Sequence, residues 1–356
     1  MRTPLTTTSA RRRVGHVLVG LAVVLAAIAW VTARPVPPAE SEERQGGQRG
    51  RVTTGAFRGG RGEGSQELRA EPVPTVVAAG DIACAPDHEF FNHGKGTATW
   101  CRADDTRALI RTLDPNVVLP LGDTQYDEGR LSEYEASYDL SWGRFLRRTR
   151  PAVGNHEYYA SSNARGYFSY FGDRAGTPGE GWYSYELGDW HVVALNSNCQ
   201  MLPCGPGSPQ WEWLAEDLRS SDAACTLAYF HHPRFSSGPH GDDPSVTPLW
   251  RLLYFEGAEL ILVGHDHLYE RFQPLTPGGV VDAEHGIRQF IVGTGGAQLY
   301  PVEQVRAQSV TRNTRSFGVL EVSLRPGEYR WRFVPVGLRG YRDRGSAPCH
   351  EAPPAA

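Results

Sequence analysis

Five short segments of the sequence each place potential metal ligands directly after an apolar run or a turn. Loops at the ends of neighbouring strands open onto one crevice, so these residues are expected to converge in the folded chain. Their oxygen and nitrogen donors are sufficient for two metal ions. The segments are Gly80-Asp81, Gly122-Asp123-Thr124-Gln125-Tyr126, Gly154-Asn155-His156-Glu157, His231-His232-Pro233 and Gly264-His265-Asp266-His267.

The segments lie in a sequence where strand-like apolar runs alternate with stretches of helical spacing. This mixture predicts an α/β (α+β) fold, a two-sheet β-sandwich flanked by helices. The predicted strands are 73–79, 116–121, 182–187, 190–196, 225–230, 259–263, 288–292, 317–324 and 329–336. The predicted helices are 104–113, 131–148, 208–218 and 247–255.

The N-terminal part of the chain differs in composition from the rest. An apolar run at 14–33 follows Arg11, Arg12 and Arg13, which is typical of an export signal. Its length approaches the roughly 20 residues that span a bilayer. Residues 1–33 are therefore interpreted as either a cleaved signal peptide or a membrane anchor, which predicts an exported protein, secreted or held at the cell surface.

Two further segments are not expected to contribute to the core. Residues 34–73 are rich in Pro, Gly, Arg, Glu and Gln, and are predicted to be a disordered linker. Residues 342–356 are interpreted as a Pro/Ala-rich tail. The net charge of -4 gives no reason to expect specific nucleic-acid binding, whereas a metal site attracts phosphate through its own charge.

The chain has 6 cysteines, and an even number after an export signal indicates disulfides. Six cysteines allow fifteen full pairings. In the interpretation adopted, the cysteines closest in sequence pair first, and one long connection remains. A thiolate metal site is the alternative, but the spacings contain no Cys-x-x-Cys. The pairs of this interpretation are Cys84 with Cys101, Cys199 with Cys204, and Cys225 with Cys349.

The order of the five segments resembles that of the calcineurin-like metallophosphoesterases. The Gly-Asp-x-x-Tyr form at 122–126 is similar to the purple acid phosphatase branch, in which Tyr126 would be a tyrosinate ligand. Ala83 stands where much of the superfamily has histidine and where the purple branch usually has glycine. This departure leaves the identity of the metal ions undetermined. The resemblance implies a metallophosphoesterase catalytic domain over residues 74–341.

The resemblance also implies two metal shells that share one carboxylate. Iron combined with zinc, manganese or a second iron is expected, because ligand type alone does not select the ion. The first shell would be Asp81, Tyr126 and His267, the second Asn155, His231 and His265, and Asp123 would bridge them.

Two further histidines are expected to act on the substrate. His156 and His240 would bind phosphate and serve as catalytic residues that protonate the leaving group. His232 is interpreted as a neighbour of the ligands or a packing residue, and Asp266 as solvent-facing or as a hydrogen-bond acceptor for a histidine. Glu157 is interpreted as a residue that orients His156 or caps a turn. The glycine loop at 293–296 resembles a phosphate cradle but is expected to be a turn, and Arg271 is expected to form an ion pair.

The predicted function is hydrolysis of phosphate monoesters or diesters by hydroxide generated at the two metals, outside the cytoplasm, with a small phosphorylated substrate. One alternative keeps the fold but acts as a nucleotide phosphodiesterase or nuclease. Another is a non-catalytic module that binds metal or phosphate. Every expected ligand is present, which favours an enzyme over the binding module.

Overall fold

The computed structural model describes residues 72–354. The expected export segment, and all but the last two residues of the expected linker, lie outside this range. The strands are β1 (Thr75–Ala79), β2 (Val117–Pro120), β3 (Tyr183–Leu187), β4 (Trp190–Ala194), β5 (Cys225–Tyr229), β6 (Leu260–Val263), β7 (Tyr269–Leu275), β8 (Ile287–Val292), β9 (Ser309–Asn313), β10 (Gly318–Arg325), β11 (Glu328–Pro335) and β12 (Arg344–Pro348). The α-helices are α1 (Ala103–Leu113), α2 (Leu131–Ala136), α3 (Arg165–Phe171), α4 (Pro209–Ser220) and α5 (Thr247–Phe255).

The strands form two sheets. The first has the order β12-β11-β10-β1-β2, with β1 parallel to β2 and antiparallel to β10. The second has the order β3-β4-β5-β6-β8-β7-β9, in which β4, β5, β6 and β8 run parallel. These parallel strands are covered on both faces, which explains their nearly continuous apolar sequences.

Side chains that alternate along β4 show how the layers pack. Trp190 and Val192 belong to a core that includes residues of the first sheet, such as Val77. Val193 instead packs in a second core with residues of α4 and α5, including Trp250. The two sheets therefore face one another with helices outside, and the predicted sandwich is confirmed.

The predicted helix at 131–148 is wrong beyond its first turns. α2 ends at Ala136, and short 3-10 turns follow at Tyr138–Leu140 and Trp142–Arg148. The backbone N–H of Tyr138 donates to Gln125 Oε1 (3.1 Å), so it is unavailable for the helical ladder. A distant side chain therefore breaks a segment that has helical apolar spacing.

The remaining differences concern one helix and three strands. The predicted segments at 225–230, 259–263 and 288–292 are strands, but α3, β7 and β9 had no prediction. β12 pairs with β11 inside the segment interpreted as a tail, so the first sheet continues past residue 341. Within residues 72–354, no helix is long and apolar enough to span a membrane.

Three disulfides occur in the described part of the chain, and they match the predicted pairing. The described cysteines are all paired, which leaves no thiolate for a metal site there. The bonds are Cys84–Cys101, Cys199–Cys204 and Cys225–Cys349.

Candidate metal centre

The predicted ligands meet where the carboxyl ends of strands from both sheets come together. Asp81 and Asp123 follow β1 and β2, whereas His231 and His265 follow β5 and β6. Asp81, Asp123 and His231 each have a ligand atom within 4.8 Å of the others, and all three side chains are buried. Residues distant in the sequence thus form one polar cluster between the sheets.

Backbone conformation at the strand ends aims these side chains inward. Asp81, Asp123 and His265 have φ values of 61°, 44° and 70°, in the left-handed region that non-glycine residues seldom occupy. Such conformations persist when the surrounding structure fixes them, and they concentrate at functional sites. At Gly264 an added Cβ would lie 2.7 Å from Asp81 Oδ2, so a larger residue would displace this carboxylate.

The first expected shell is a compact group of three side chains. Tyr126 donates from its hydroxyl to Asp81 Oδ1 (2.9 Å), and this hydroxyl lies 2.9 Å from His267 Nε2. His267 donates from Nδ1 to the Gln298 carbonyl (2.7 Å), which leaves Nε2 free to bind a cation. Burial and the two carboxylates, Asp81 and Asp123, raise the pKa of Tyr126 well above its usual value. A strongly charged cation is therefore needed to ionise this phenol.

The second expected shell contains two histidines and an amide. His231 Nε2 lies 3.2 Å from His265 Nδ1, and His231 Nδ1 donates to the Leu121 carbonyl (2.8 Å). Asn155 donates from Nδ2 to the Tyr159 hydroxyl (2.9 Å), while its buried Oδ1 has no hydrogen-bond partner among residues 72–354. An unpaired buried oxygen is costly, and a bound cation would satisfy it.

Asp123 contacts residues of both expected shells through one carboxylate oxygen. Its Oδ2 lies 3.3 Å from the Tyr126 hydroxyl and 3.1 Å from His231 Nε2. Burial opposes ionisation of this carboxylate, but His231 and nearby histidines outweigh it and hold its pKa well below the usual range. The donor set therefore fits two cations that share Asp123.

The two expected substrate histidines contact different members of the predicted ligand set. His156 Nδ1 donates to the Asp127 carbonyl (2.6 Å), and its Nε2 is 3.9 Å from Asp123 Oδ2. The His240 ring lies against the His265 ring with centroids 4.2 Å apart. Both are therefore adjacent to the predicted ligands, but they approach different shells.

The flanking residues support the loops that carry the ligands. Asp266 is buried and accepts from the backbone N–H of His240 (3.1 Å). His232 pairs through Nδ1 with Ser197 Oγ (2.8 Å). Burial and neighbouring His231 lower the pKa of His232 to about 3, so it stays neutral at neutral pH. Both residues therefore lie next to the predicted ligands, and the expectation of a solvent-facing Asp266 is wrong because this carboxylate is buried.

The glycine loop and Arg271 are structural. Gly295 donates its backbone N–H to the Gly80 carbonyl (2.9 Å), and the Gly293 N–H goes to the Leu268 carbonyl. Backbone partners thus use these two donors, as expected for a turn. Arg271 pairs with Asp343 at 2.7 Å, which confirms the predicted ion pair.

Three residues contribute to the site in ways that were not predicted from the sequence. Glu157 accepts hydrogen bonds from both ligand-bearing loops rather than from the ring of His156. Tyr159 holds the Asn155 amide, and Tyr300 stacks on His267 with ring centroids 3.9 Å apart. Only Glu157 and Tyr159 had a signal in the sequence, namely their position within three residues of His156.

Comparisons with known proteins agree with this geometry. The family model for calcineurin-like phosphoesterases matches residues 74–269, more than half of the chain, and the chain belongs to this family. It is similar to probable purple acid phosphatase 20 of Arabidopsis thaliana (27% identical; 50% of this chain, 44% of the relative). It is also similar to acid phosphatase type 7 of Danio rerio (28% identical; 47% of this chain, 43% of the relative). These relatives confirm the expected resemblance to the purple acid phosphatase branch, although each match spans less than half of the relative.

Solved structures confirm the fold. A purple acid phosphatase from yellow lupin (Lupinus luteus) seeds aligns with a TM-score of 0.64 and 18% identity, over 78% of this chain and 54% of that chain. GAP50, described as the anchor in the inner membrane complex of Plasmodium, aligns with a TM-score of 0.53 and 13% identity, over 78% and 89%. Proteins of different roles thus share this architecture, so function must be argued from the site.

Proposed function

We propose that the protein hydrolyses phosphate esters at a centre of two metal ions. The observation that carries this proposal is the position of Asp123 Oδ2, within 3.3 Å of both the Tyr126 hydroxyl and His231 Nε2. A carboxylate between two donor groups is what a pair of cations needs as a bridge. The buried, unpaired Oδ1 of Asn155 supports a second ion on the His231 side.

The residues have distinct roles in this proposal. Asp81, Tyr126 and His267 would hold one ion, Asn155, His231 and His265 would hold the other, and Asp123 would be shared. Bound cations of this kind neutralise phosphate charge and lower the pKa of a water molecule, and iron with zinc, manganese or a second iron suits these donors.

The two histidines outside the shells bind and protonate the substrate. His156 donates from Nδ1 to a carbonyl, so its Nε2 accepts a proton and can pass it to a phosphate or leaving-group oxygen. The ring of His240, packed on His265, offers a second donor beside the other shell. A small phosphorylated molecule bound between them is the proposed substrate.

An exported location is part of the proposal. Three disulfides join the described cysteines, and such bonds persist in oxidising compartments outside the cytoplasm. The expected signal or anchor at residues 1–33 lies outside the described residues. A cell fractionation with an antibody to the catalytic domain tests this location, and recovery in the cytoplasm with reduced cysteines would contradict it.

Metal analysis combined with activity tests the proposed function. The purified full chain, loaded with Mn²⁺ or iron, should contain two ions and hydrolyse p-nitrophenyl phosphate. Asp123→Ala should lose both ions and nearly all turnover, whereas Asp222→Ala, an exposed surface change, should retain both. Normal turnover by Asp123→Ala would refute the assignment.

The identity of the first ion has its own test. If iron binds Tyr126, the iron-loaded protein should be coloured by a tyrosinate–iron absorption band. Tyr126→Phe should abolish that band because it removes the phenol oxygen. A colourless protein that contains iron would show that Tyr126 is not a ligand.

A further inference from the structure

Two separate cavities border the predicted metal centre, one beside each shell. The larger has a volume of about 450 Å³ and is lined by Asn155 and His265 of the second shell. The smaller has a volume of about 160 Å³ and is lined by Tyr126 and His267 of the first shell. A phosphate bound across the centre therefore has space for a substituent on either side.

A disulfide-closed loop forms part of the wall of each cavity. The loop closed by Cys84–Cys101 places His88 and Trp100 in the smaller cavity, with ring centroids 5.3 Å apart. The loop closed by Cys199–Cys204 places Met201, which is 45% exposed, in the larger one. Partly exposed aromatic and thioether groups on closed loops provide pre-organised apolar surface for organic groups.

The walls of the two cavities are suited to organic groups rather than to further phosphate oxygens. No lysine or arginine within residues 72–354 lines either cavity, and Asp242 in the larger one pairs with Arg306 at 3.0 Å. The charge that attracts the phosphate is therefore that of the two cations themselves. A phosphodiester has two organic substituents, one for each cavity, whereas a phosphate monoester has one.

We propose that the substrate is a small phosphodiester with one organic group in each cavity, a refinement that rests on the proposed function. The smaller cavity holds a planar group against Trp100, and the larger holds the leaving alcohol beside His240. The oxygen of water bonds to phosphorus while the bond from phosphorus to the alcohol oxygen breaks with its electron pair. One water proton ends on the alcohol and the other stays on the new phosphate monoester.

Two chromogenic esters that differ by one substituent test the inference. The full chain, loaded with Mn²⁺, is assayed with p-nitrophenyl phosphate and bis(p-nitrophenyl) phosphate. We expect kcat/KM for the diester to exceed that for the monoester by about tenfold or more, since only the diester contacts both walls. Metal content is measured in the same samples, so that poor loading is recognised.

Variants of the two loops show whether each cavity holds a separate group. Trp100→Ala should raise KM about tenfold for the diester and leave the monoester unchanged, because a monoester has no second group to stack. Met201→Ala should raise KM for both esters, because both carry the leaving group. Phe91→Ala is the matched control, since Phe91 lies on the same loop as Trp100 outside the lining of the smaller cavity.

The outcomes distinguish failure of the phosphodiester inference from failure of the proposed function. If the monoester is the better substrate and Trp100→Ala affects both esters equally, the phosphodiester inference is overturned and the proposed function stands. If Phe91→Ala matches Trp100→Ala, the effect comes from the fold of the loop, and the assignment of the smaller cavity is overturned. If a protein that contains two metal ions hydrolyses neither ester, the proposed function fails together with the inference.

Discussion

Replacing Glu157 by glutamine should weaken both the fold and the metal centre. The Glu157 carboxylate is fully buried and joins two loops. Its Oε2 accepts from the backbone N–H groups of Asp123 (3.1 Å) and Gly154 (2.7 Å), and its Oε1 accepts from the Thr124 N–H (2.8 Å) and the Tyr134 hydroxyl (3.0 Å). The loop with the bridging carboxylate and the loop with the amide ligand are therefore held by one side chain.

The magnitude follows from the donors that would lose an acceptor. Glu157→Gln converts one carboxyl oxygen to NH2, which cannot accept a hydrogen bond. If the amide nitrogen replaces Oε2, the N–H groups of Asp123 and Gly154 both lose their acceptor. Each buried unsatisfied donor costs about 1–3 kcal/mol, so the free energy of unfolding should fall by about 2–6 kcal/mol. Loosening of both loops should also weaken metal binding by about 10–100-fold.

Urea denaturation in EDTA, followed by Mn²⁺ titration of the folded protein, separates these two effects. Glu270→Gln is the matched control, since Glu270 is equally buried and accepts from Ser237 N (2.9 Å), Ser237 Oγ (2.6 Å) and Ser309 Oγ. Serine hydroxyls can turn to accept from the new NH2, so this change should cost only about 1 kcal/mol. Equal losses in the two variants, or unchanged Mn²⁺ affinity in Glu157→Gln, would refute the reasoning.

Three further predictions concern separate parts of the chain. Tyr159→Phe frees the amide ligand to rotate and should weaken binding of the second Mn²⁺ ion about 10–100-fold in calorimetry, whereas Tyr158→Phe, the adjacent matched change, should not. Burial raises the pKa of Glu259 from 4.5 to about 8, so its contribution to stability is full below pH 4.5 and is lost as the pH rises through 8. Glu259→Gln should therefore flatten the fall in unfolding free energy between pH 5 and 8, and an unchanged slope would contradict this account. Replacing Cys225 and Cys349 by serine should lower the free energy of unfolding by about 5 kcal/mol, because this disulfide closes a loop with a sequence separation of 124. Urea denaturation measures the loss, and a decrease below about 1 kcal/mol would contradict this prediction.

The convergence of the proposed metal ligands could be predicted because their sequence signals are local. Asp81 and Asp123 each follow an apolar strand and a glycine, so the strand and the ligand are recognised from adjacent residues. The parallel pairing of β1 with β2 then brings both carboxylates to the same edge of the first sheet. The sequence order of these segments therefore contained most of the information on which residues converge.

The break after α2 could not be predicted because its cause is not local. Residues 131–148 have helical apolar spacing, and Tyr134, Tyr138 and Trp142 are all buried as that spacing suggests. What ends the helix is a hydrogen bond from the Tyr138 backbone to Gln125, 13 residues earlier in the chain. Apolar spacing is thus compatible with the buried side chains, but it contains no information on which backbone donors a distant side chain will take.

The proposed metal centre and the proposed substrate cavities depend on different kinds of structure. The ligands follow strands whose positions are fixed by sheet pairing, so their geometry depends little on surface loops. Trp100 and Met201 instead lie on loops whose course is fixed by disulfides, Cys84–Cys101 and Cys199–Cys204. Reduction of these bonds should therefore alter KM for organic phosphates before it alters the metal content. The motifs that carry the proposed ligands contain no information on Trp100 or Met201, which explains why the sequence predicts the chemistry and leaves the substrate open.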